Sequence, residues 1–243
     1  IKYKFCENSA IAAFFATIII FSLIVNAMNI NSKQVTCNFC PRIILRKLKI
    51  EDVNKININS IRNKFEYLKF IIDNNVDILF ISETKLNDTF PENQFLIEGF
   101  HSPYRKDRDD KGGGLLLYIR DFIPCRKINA RFDPIIEAIA IEINLKKKKW
   151  LIICSYNPHK SMIHNHLKSI SMQLDEFYKI YENVIIIGDF NSEICEDSMS
   201  EFCCLYNLKS LVNKPTCFKN PDHPSCIDLI LTNKNRSFHS TSI

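Results

Sequence analysis

Glycine and proline are scarce in this chain, five and nine among 243 residues, which excludes the compositions of flexible linkers, collagen-like repeats and low-complexity disorder. No segment recurs at a fixed period, so a repeat array is excluded too. Charge of one sign is also in short supply. The formal net charge is +5, which suits a polyanionic partner without demanding one. The ten cysteines lack the clustering of a disulfide scaffold in a short secreted domain. Cys154, Cys203, Cys204 and Cys226 sit in or beside apolar runs, where a free thiol behaves as a small buried hydrophobe, so reduced cysteines are expected. Cys37 and Cys40 form a CxxC, but no second pair follows at the spacing of a tetrahedral zinc site.

From Ser9 to Met28 there is no charged residue at all. The stretch AIAAFFATIIIFSLIV is apolar enough to sit in lipid, and about 20 such residues span a bilayer core. Lys2 and Lys4 precede it, and Val25-Asn26-Ala27 has the small-residue character of a cleavage site, so residues 9–28 read as a transmembrane segment or as a signal peptide. Lys33, Arg42, Arg46, Lys47 and Lys49 follow; by the positive-inside tendency they would keep the main domain cytoplasmic if the segment spans. A third reading is translated flanking sequence, since the chain starts at Ile1 and has the look of a fragment. Residues 1–49 are accordingly assigned as a hydrophobic leader with a basic linker. Residues 50–243 are assigned as one main domain, for which a hydrophobic content of 46% allows one sizeable core.

Within that domain, Val53 to Ile58 reads as a strand, followed by a helix capped by Ser60 with Ile61, Phe65, Leu68 and Ile72 on one face and ended by Asn74 and Asn75. Asp77 to Ile81 is a short apolar run of the kind buried in an α/β sheet. Gly112, Gly113 and Gly114 lead into the strand LLLYI. The runs IIEAIAIEI and WLIICSY flank Lys146 to Lys149 like the arms of a hairpin with a solvated tip. Ser161 caps a long helix with Ile163, Leu167, Ile170, Leu174, Phe177 and Tyr181 on one face. Val184 to Ile187 and Cys226 to Leu231 are further strands. Strands that both alternate with helices and pair as hairpins imply mixed sheets, two of them packed together with helices outside.

Polar residues stand at the ends of these apolar strands, where a rigid scaffold opens: Asn57, Glu83, Tyr156, Asp189, Asn191 and Asp228. A carboxylate at the end of ILFIS is costly to bury unless it meets a cation, and Mg²⁺ is the hard partner it suits. The bland alternative for Glu83 is a surface carboxylate beside Lys85. In IIIGDFN, Asp189 and Asn191 are two residues apart, so in an extended segment they share a face, one able to take a proton from water and the other to donate to a phosphate oxygen. The bland alternative there is an ordinary turn.

Taken in order, NINSIRNKF, DILFISETKL, YRKDRDDKGGGLLLYI, SYNP, IIIGDFN, PTCF and SCIDLILTN, from Ile56 to Asn233, resemble the successive motifs of the endonuclease/exonuclease/phosphatase superfamily in the form carried by LINE-type retrotransposons, the apurinic-like endonucleases. The resemblance implies a deoxyribonuclease-like α/β/β/α sandwich and Mg²⁺- or Mn²⁺-dependent nicking of DNA. It implies Asn57 and Glu83 at the metal, Tyr156 at the scissile phosphate, Asp189 on the attacking water, Asn191 on the phosphate, and Asp228 orienting a catalytic histidine. Arg105 and Arg108 become candidate contacts to the DNA backbone. A reverse transcriptase in the same reading frame, a monomeric state and a nuclear or cytoplasmic location follow from the same resemblance, with a membrane location if the leader is genuine.

Superfamily members of this kind finish on a Ser-Asp-(x)-His element, which is absent before Ile243, and His239 lacks the acidic neighbour that would let it substitute. The sandwich is therefore expected to be incomplete at its C-terminal end and cleavage to be weak or absent, since losing one transition-state donor costs about 10²–10³ in rate. Three other readings remain: a non-catalytic nucleic-acid-binding remnant, a phosphodiesterase or phosphatase of the same superfamily acting on RNA or phospholipid, or, on the leader alone, a membrane-anchored protein of unrelated purpose.

Overall fold

A computed structural model describes residues 53–72, 76–109, 111–145, 147–218, 220 and 222–235, and among these described residues ten strands and three α-helices build the fold. The leader, the CxxC and His239 lie outside the described residues. Among the described residues no helix is long and apolar enough to cross a membrane.

The strands are β1 (Val53–Asn57), β2 (Ile78–Ser82), β3 (Tyr104–Lys106), β4 (Leu115–Ile119), β5 (Cys125–Lys127), β6 (Glu137–Leu145), β7 (Lys148–Tyr156), β8 (Asn183–Asp189), β9 (Lys209–Ser210) and β10 (Asp228–Thr232). They form a four-stranded sheet in the order β1-β2-β4-β3 and a six-stranded sheet in the order β5-β6-β7-β8-β10-β9. Both sheets are mixed: β1 with β2 and β7 with β8 run parallel, and every other pair is antiparallel. The helices are α1 (Phe65–Ile71), α2 (Ile163–Phe177) and α3 (Asp197–Leu205).

Period-two patterning stacks the layers, because alternate residues of a strand face opposite sides. Ile78, Phe80, Leu115, Leu117 and Ile119 of the smaller sheet pack against Ile139, Ile141, Ile143, Ile152, Cys154, Ile185, Ile187 and Ile230 of the larger one. The intervening residues Ala140, Leu151, Ile153, Val184, Ile186, Leu229 and Leu231 face outward and are covered by Ile163, Leu167, Ile170, Leu174 and Phe177 of α2 with Met199 and Phe202 of α3. On the outer face of the smaller sheet Leu79, Ile81, Leu116 and Tyr118 are buried as well. There Phe65 of α1 meets Phe95 edge-on, and Tyr118 donates its hydroxyl proton to the Phe95 carbonyl at 2.8 Å. The result is the layered α/β/β/α sandwich expected from the sequence. Each buried Ile, Leu or Phe contributes about 1.5–3 kcal/mol.

Two helix starts differ from expectation. Ser60 does not cap α1: its φ is +76°, its N–H donates to the Glu83 carbonyl at 2.7 Å, and the helix begins only at Phe65. The chain leaving β1 keeps pairing with the chain leaving β2, and this tertiary pairing wins over the local cap. Ser161 lies in a 3-10 turn, Lys160–Met162, and α2 starts after it without a side-chain cap. The cysteines among the described residues are unpaired, as expected, but Cys204 is exposed and Cys226 only half-buried.

Candidate active site

Where the layer between the sheets reaches its end, the inward positions turn from apolar to polar. The register sets Glu137 opposite Tyr156, Tyr156 opposite Asp189 and Asp189 opposite Asp228, a single row across β6, β7, β8 and β10. These residues continue the inward series of Ile139, Cys154, Ile187 and Ile230. From the smaller sheet, Lys55 lies opposite Phe80 and Asn57 opposite Ser82, so both face the same layer.

Two donors on β1 thread three carboxylates together. The Asn57 amide donates from Nδ2 to Glu83 Oε1 at 2.9 Å and to Asp189 Oδ2 at 3.1 Å. The Lys55 ammonium donates to Asp228 Oδ1 and lies 3.5 Å from Asp189 Oδ2. Tyr156 donates its hydroxyl proton to Glu83 Oε1 at 2.9 Å. Of the six expected residues, Asn57, Glu83, Tyr156 and Asp189 are thus hydrogen-bonded to one another, and Asp228 joins through Lys55.

Asn191 arrives by a different route from the one its spacing predicts. The strand stops at Asp189, and Asn191 has φ +48°, so the segment turns instead of continuing extended. The turn brings the Asn191 N–H to Asp189 Oδ1 at 3.2 Å, while its side-chain Nδ2 donates to the Asn157 carbonyl at 2.8 Å. Asn157 is fully buried and donates from Nδ2 to the Phe190 carbonyl at 2.7 Å. Positive φ outside glycine also occurs at Asn59, Ser60, Glu83 and Lys85. Such conformations cost about 1–3 kcal/mol each and gather at functional sites.

Burial sets the local electrostatics. It lowers the Lys55 pKa, against the opposing pull of Asp189 and Glu83. It raises the Tyr156 pKa, with a further rise from the bond to Glu83, so the phenol remains a proton donor at neutral pH. Glu137 is pushed up by burial, although Arg108 Nη1 and the Gly114 N–H each donate to it at 2.6 Å.

Arg105 and Arg108 are occupied within the protein. Arg105 donates to both carboxylate oxygens of Asp107 and to the carbonyls of Phe90 and Asn87 at 2.6–2.7 Å. Arg108 binds Glu137 and the Gly112 carbonyl. Their guanidinium groups hold the YRKDR segment and the glycine loop. Asn57 turns its NH₂ toward the carboxylates, and its Oδ1 accepts the Asn59 N–H at 3.2 Å.

Lys55, Glu137 and Asn157 were not singled out from the sequence. Their signals were present: a lysine two residues before Asn57, a glutamate inside an apolar run, and the residue after Tyr156.

The profile of the Endonuclease/Exonuclease/phosphatase family matches residues 56–242. The chain belongs to this family. No curated protein matches it by sequence. Among solved structures, this family member is similar to the 3′ phosphatase NExo from Neisseria bound to product DNA hairpin, at 15% identity and TM-score 0.55 over 76% of this chain and 86% of that one. It is similar to the human Nocturnin catalytic domain, at 17% identity and TM-score 0.56 over 78% and 84%. It is also similar to the endonuclease domain of TRAS1, a telomere-specific non-LTR retrotransposon, at 13% identity and TM-score 0.54 over 74% and 84%. At such identities the likeness speaks for the fold alone.

Nucleases of the Endonuclease/Exonuclease/phosphatase family generally depend on a divalent metal. The donors present fit one sparingly ligated ion. Glu83 keeps Oε2 without a protein donor among the described residues, and no group of three or more His, Cys, Asp or Glu there could cage a metal. Mg²⁺ is the ion that keeps several of its waters and binds through one or two carboxylates plus substrate phosphate.

Proposed function

We propose that this chain is a Mg²⁺-dependent phosphodiesterase that nicks DNA, of the type retrotransposons carry. The observation that supports it is the convergence of Glu83, Asn57, Tyr156 and Asp189 at one sheet mouth. In this reading Glu83 would hold the ion, which would supply Lewis-acid chemistry to the phosphate. Asp189, buried and fixed by Asn57 and by the Asn191 N–H, aligns a water and takes its proton as the water attacks phosphorus in line. Tyr156 keeps its proton and orients Glu83. Asn191 has one amide N–H engaged by Asn157, and the other is left for a phosphate oxygen.

The retrotransposon assignment is supported by the ordered motifs from Ile56 to Asn233. Cleavage is expected to be slow. Among the described residues Asp228 is partnered by Lys55 and by no histidine, and a site without such a transition-state donor works about 10²–10³ more slowly.

Supercoiled plasmid with Mg²⁺ tests the reading. Slow nicking that stops on chelation, and is lost in Glu83→Ala, is the expected result; equal nicking by Glu83→Ala overturns it. Poly(A) and sphingomyelin presented alongside decide between DNA and the RNA or phospholipid substrates of the alternative reading.

A further inference from the structure

Three carboxylates crowd the mouth of the sheet. Asp189 and Asp228 are direct register partners across the antiparallel β8–β10 pair, where like charges facing one another are destabilising. Glu83 stands one amide away, joined to Asp189 through Asn57. Carboxylates set so close ordinarily share a proton or take up cations.

In this chain a cation is already there. The Lys55 side chain is only 6% exposed, and its ammonium sits between Asp189 and Asp228. It comes from the opposite sheet, from the strand that also presents Asn57 two residues later, so one edge strand supplies both links of the alternating series Glu83, Asn57, Asp189, Lys55, Asp228. Thr216 fixes the far end, its Oγ1 accepting the Asp228 N–H at 3.1 Å. With Lys55 in position, its side-chain nitrogen stands where Asp189 and Asp228 would otherwise draw an ion between them.

We propose that Lys55 is a positioning residue that acts as a fixed cation, tying Asp228 to Asp189 and occupying the place in the acidic cluster that a second divalent ion would otherwise take. This rests on the metal-dependent reading above. It assigns Asp228 a partner within the chain and makes the site a one-metal site by construction. Because the ammonium is buried, Lys55 works through the two aspartates and not by touching phosphate.

The test counts Mn²⁺ bound to the full chain by electron paramagnetic resonance, in the wild type and in Lys55→Met, Lys55→Arg, Asp228→Asn and Glu83→Gln, each checked by thermal melting. Lys55→Met is expected to bind one ion more than the wild type, and Lys55→Arg the same number as the wild type. An unchanged count in folded Lys55→Met overturns the proposal. Should Lys55→Met fail to fold, Asp228→Asn decides. If Lys55 holds Asp228, Mn²⁺ affinity stays within about twofold of wild type; if Asp228 is itself a metal ligand, affinity falls tenfold or more and the proposal is wrong. Glu83→Gln isolates the underlying reading: undiminished Mn²⁺ binding there removes Glu83 as the ligand, while the difference between Lys55→Met and wild type still judges Lys55.

Discussion

A buried histidine carries the clearest pH signature at the scale of single residues. His166 is 1% exposed; its Nε2 pairs with Ser155 Oγ at 2.6 Å and its Nδ1 has no partner. Burial pushes its pKa down from 6.5 to about 4. The unfolded chain therefore binds this proton more readily than the folded one, and stability is lost as pH falls from about 6.5 to about 4, by roughly 3 kcal/mol in all. Urea midpoints across that range should fall more steeply for wild type than for His166→Gln; parallel curves would refute the assignment. At the site, Tyr156→Phe removes a hydrogen bond to a carboxylate, worth about 1.5–3 kcal/mol. The expected outcome is a kcat at least about tenfold lower with KM little changed, read from plasmid nicking. Tyr156 and Asp189 were legible because each ends an apolar run whose inward parity can be counted, whereas Glu83 follows Ser82 out of that parity with φ +56°. Lys55 was not legible, since a lysine in a strand is ordinarily solvated, and here it is buried against the aspartates of the other sheet. The internal partners of Arg105, Arg108 and Asn57 were likewise beyond the sequence, because which acceptor a long or amide side chain meets depends on segments far away in the chain.

Elements were legible where burial imposes a period, and β2, β4, β6, β7 and β8 all match their apolar runs. Their ends were less so. The starts of α1 and α2 were set by tertiary pairing and a 3-10 turn in place of serine caps. The glycine loop before β4 is the connection that most constrains the site. Gly114 has φ +87°, its N–H donates to buried Glu137 and its carbonyl accepts the Thr84 N–H at 3.2 Å. A Cβ there would stand 2.3 Å from Thr84 Oγ1. Left-handed strain costs about 1–3 kcal/mol and overpacking a similar amount, so Gly114→Ala should destabilise by roughly 2–6 kcal/mol in denaturant titrations. A change below about 1 kcal/mol would mean that the loop moves freely and does not brace the residues after β2.

For the molecule as a whole, the layer between the two sheets must hold for the site to exist, because Lys55 and Asn57 come from one sheet and Tyr156, Asp189 and Asp228 from the other. That layer contains the only tryptophan of the chain, Trp150, at the opposite end of β7 from Tyr156. Its fluorescence therefore reports on the same layer from the far side. Ile152 is fully buried there, and truncating such a residue to alanine costs about 2–5 kcal/mol. In a domain of this size each kcal/mol lowers Tm by about 2–4 °C. If the sheets unfold together, tryptophan emission and far-ultraviolet circular dichroism will melt at one temperature in the wild type, and Ile152→Ala will lower both by the same amount, taking Mn²⁺ binding with them. If emission changes first while the dichroism and the bound ion persist, the sheets part independently and the cluster does not depend on their packing.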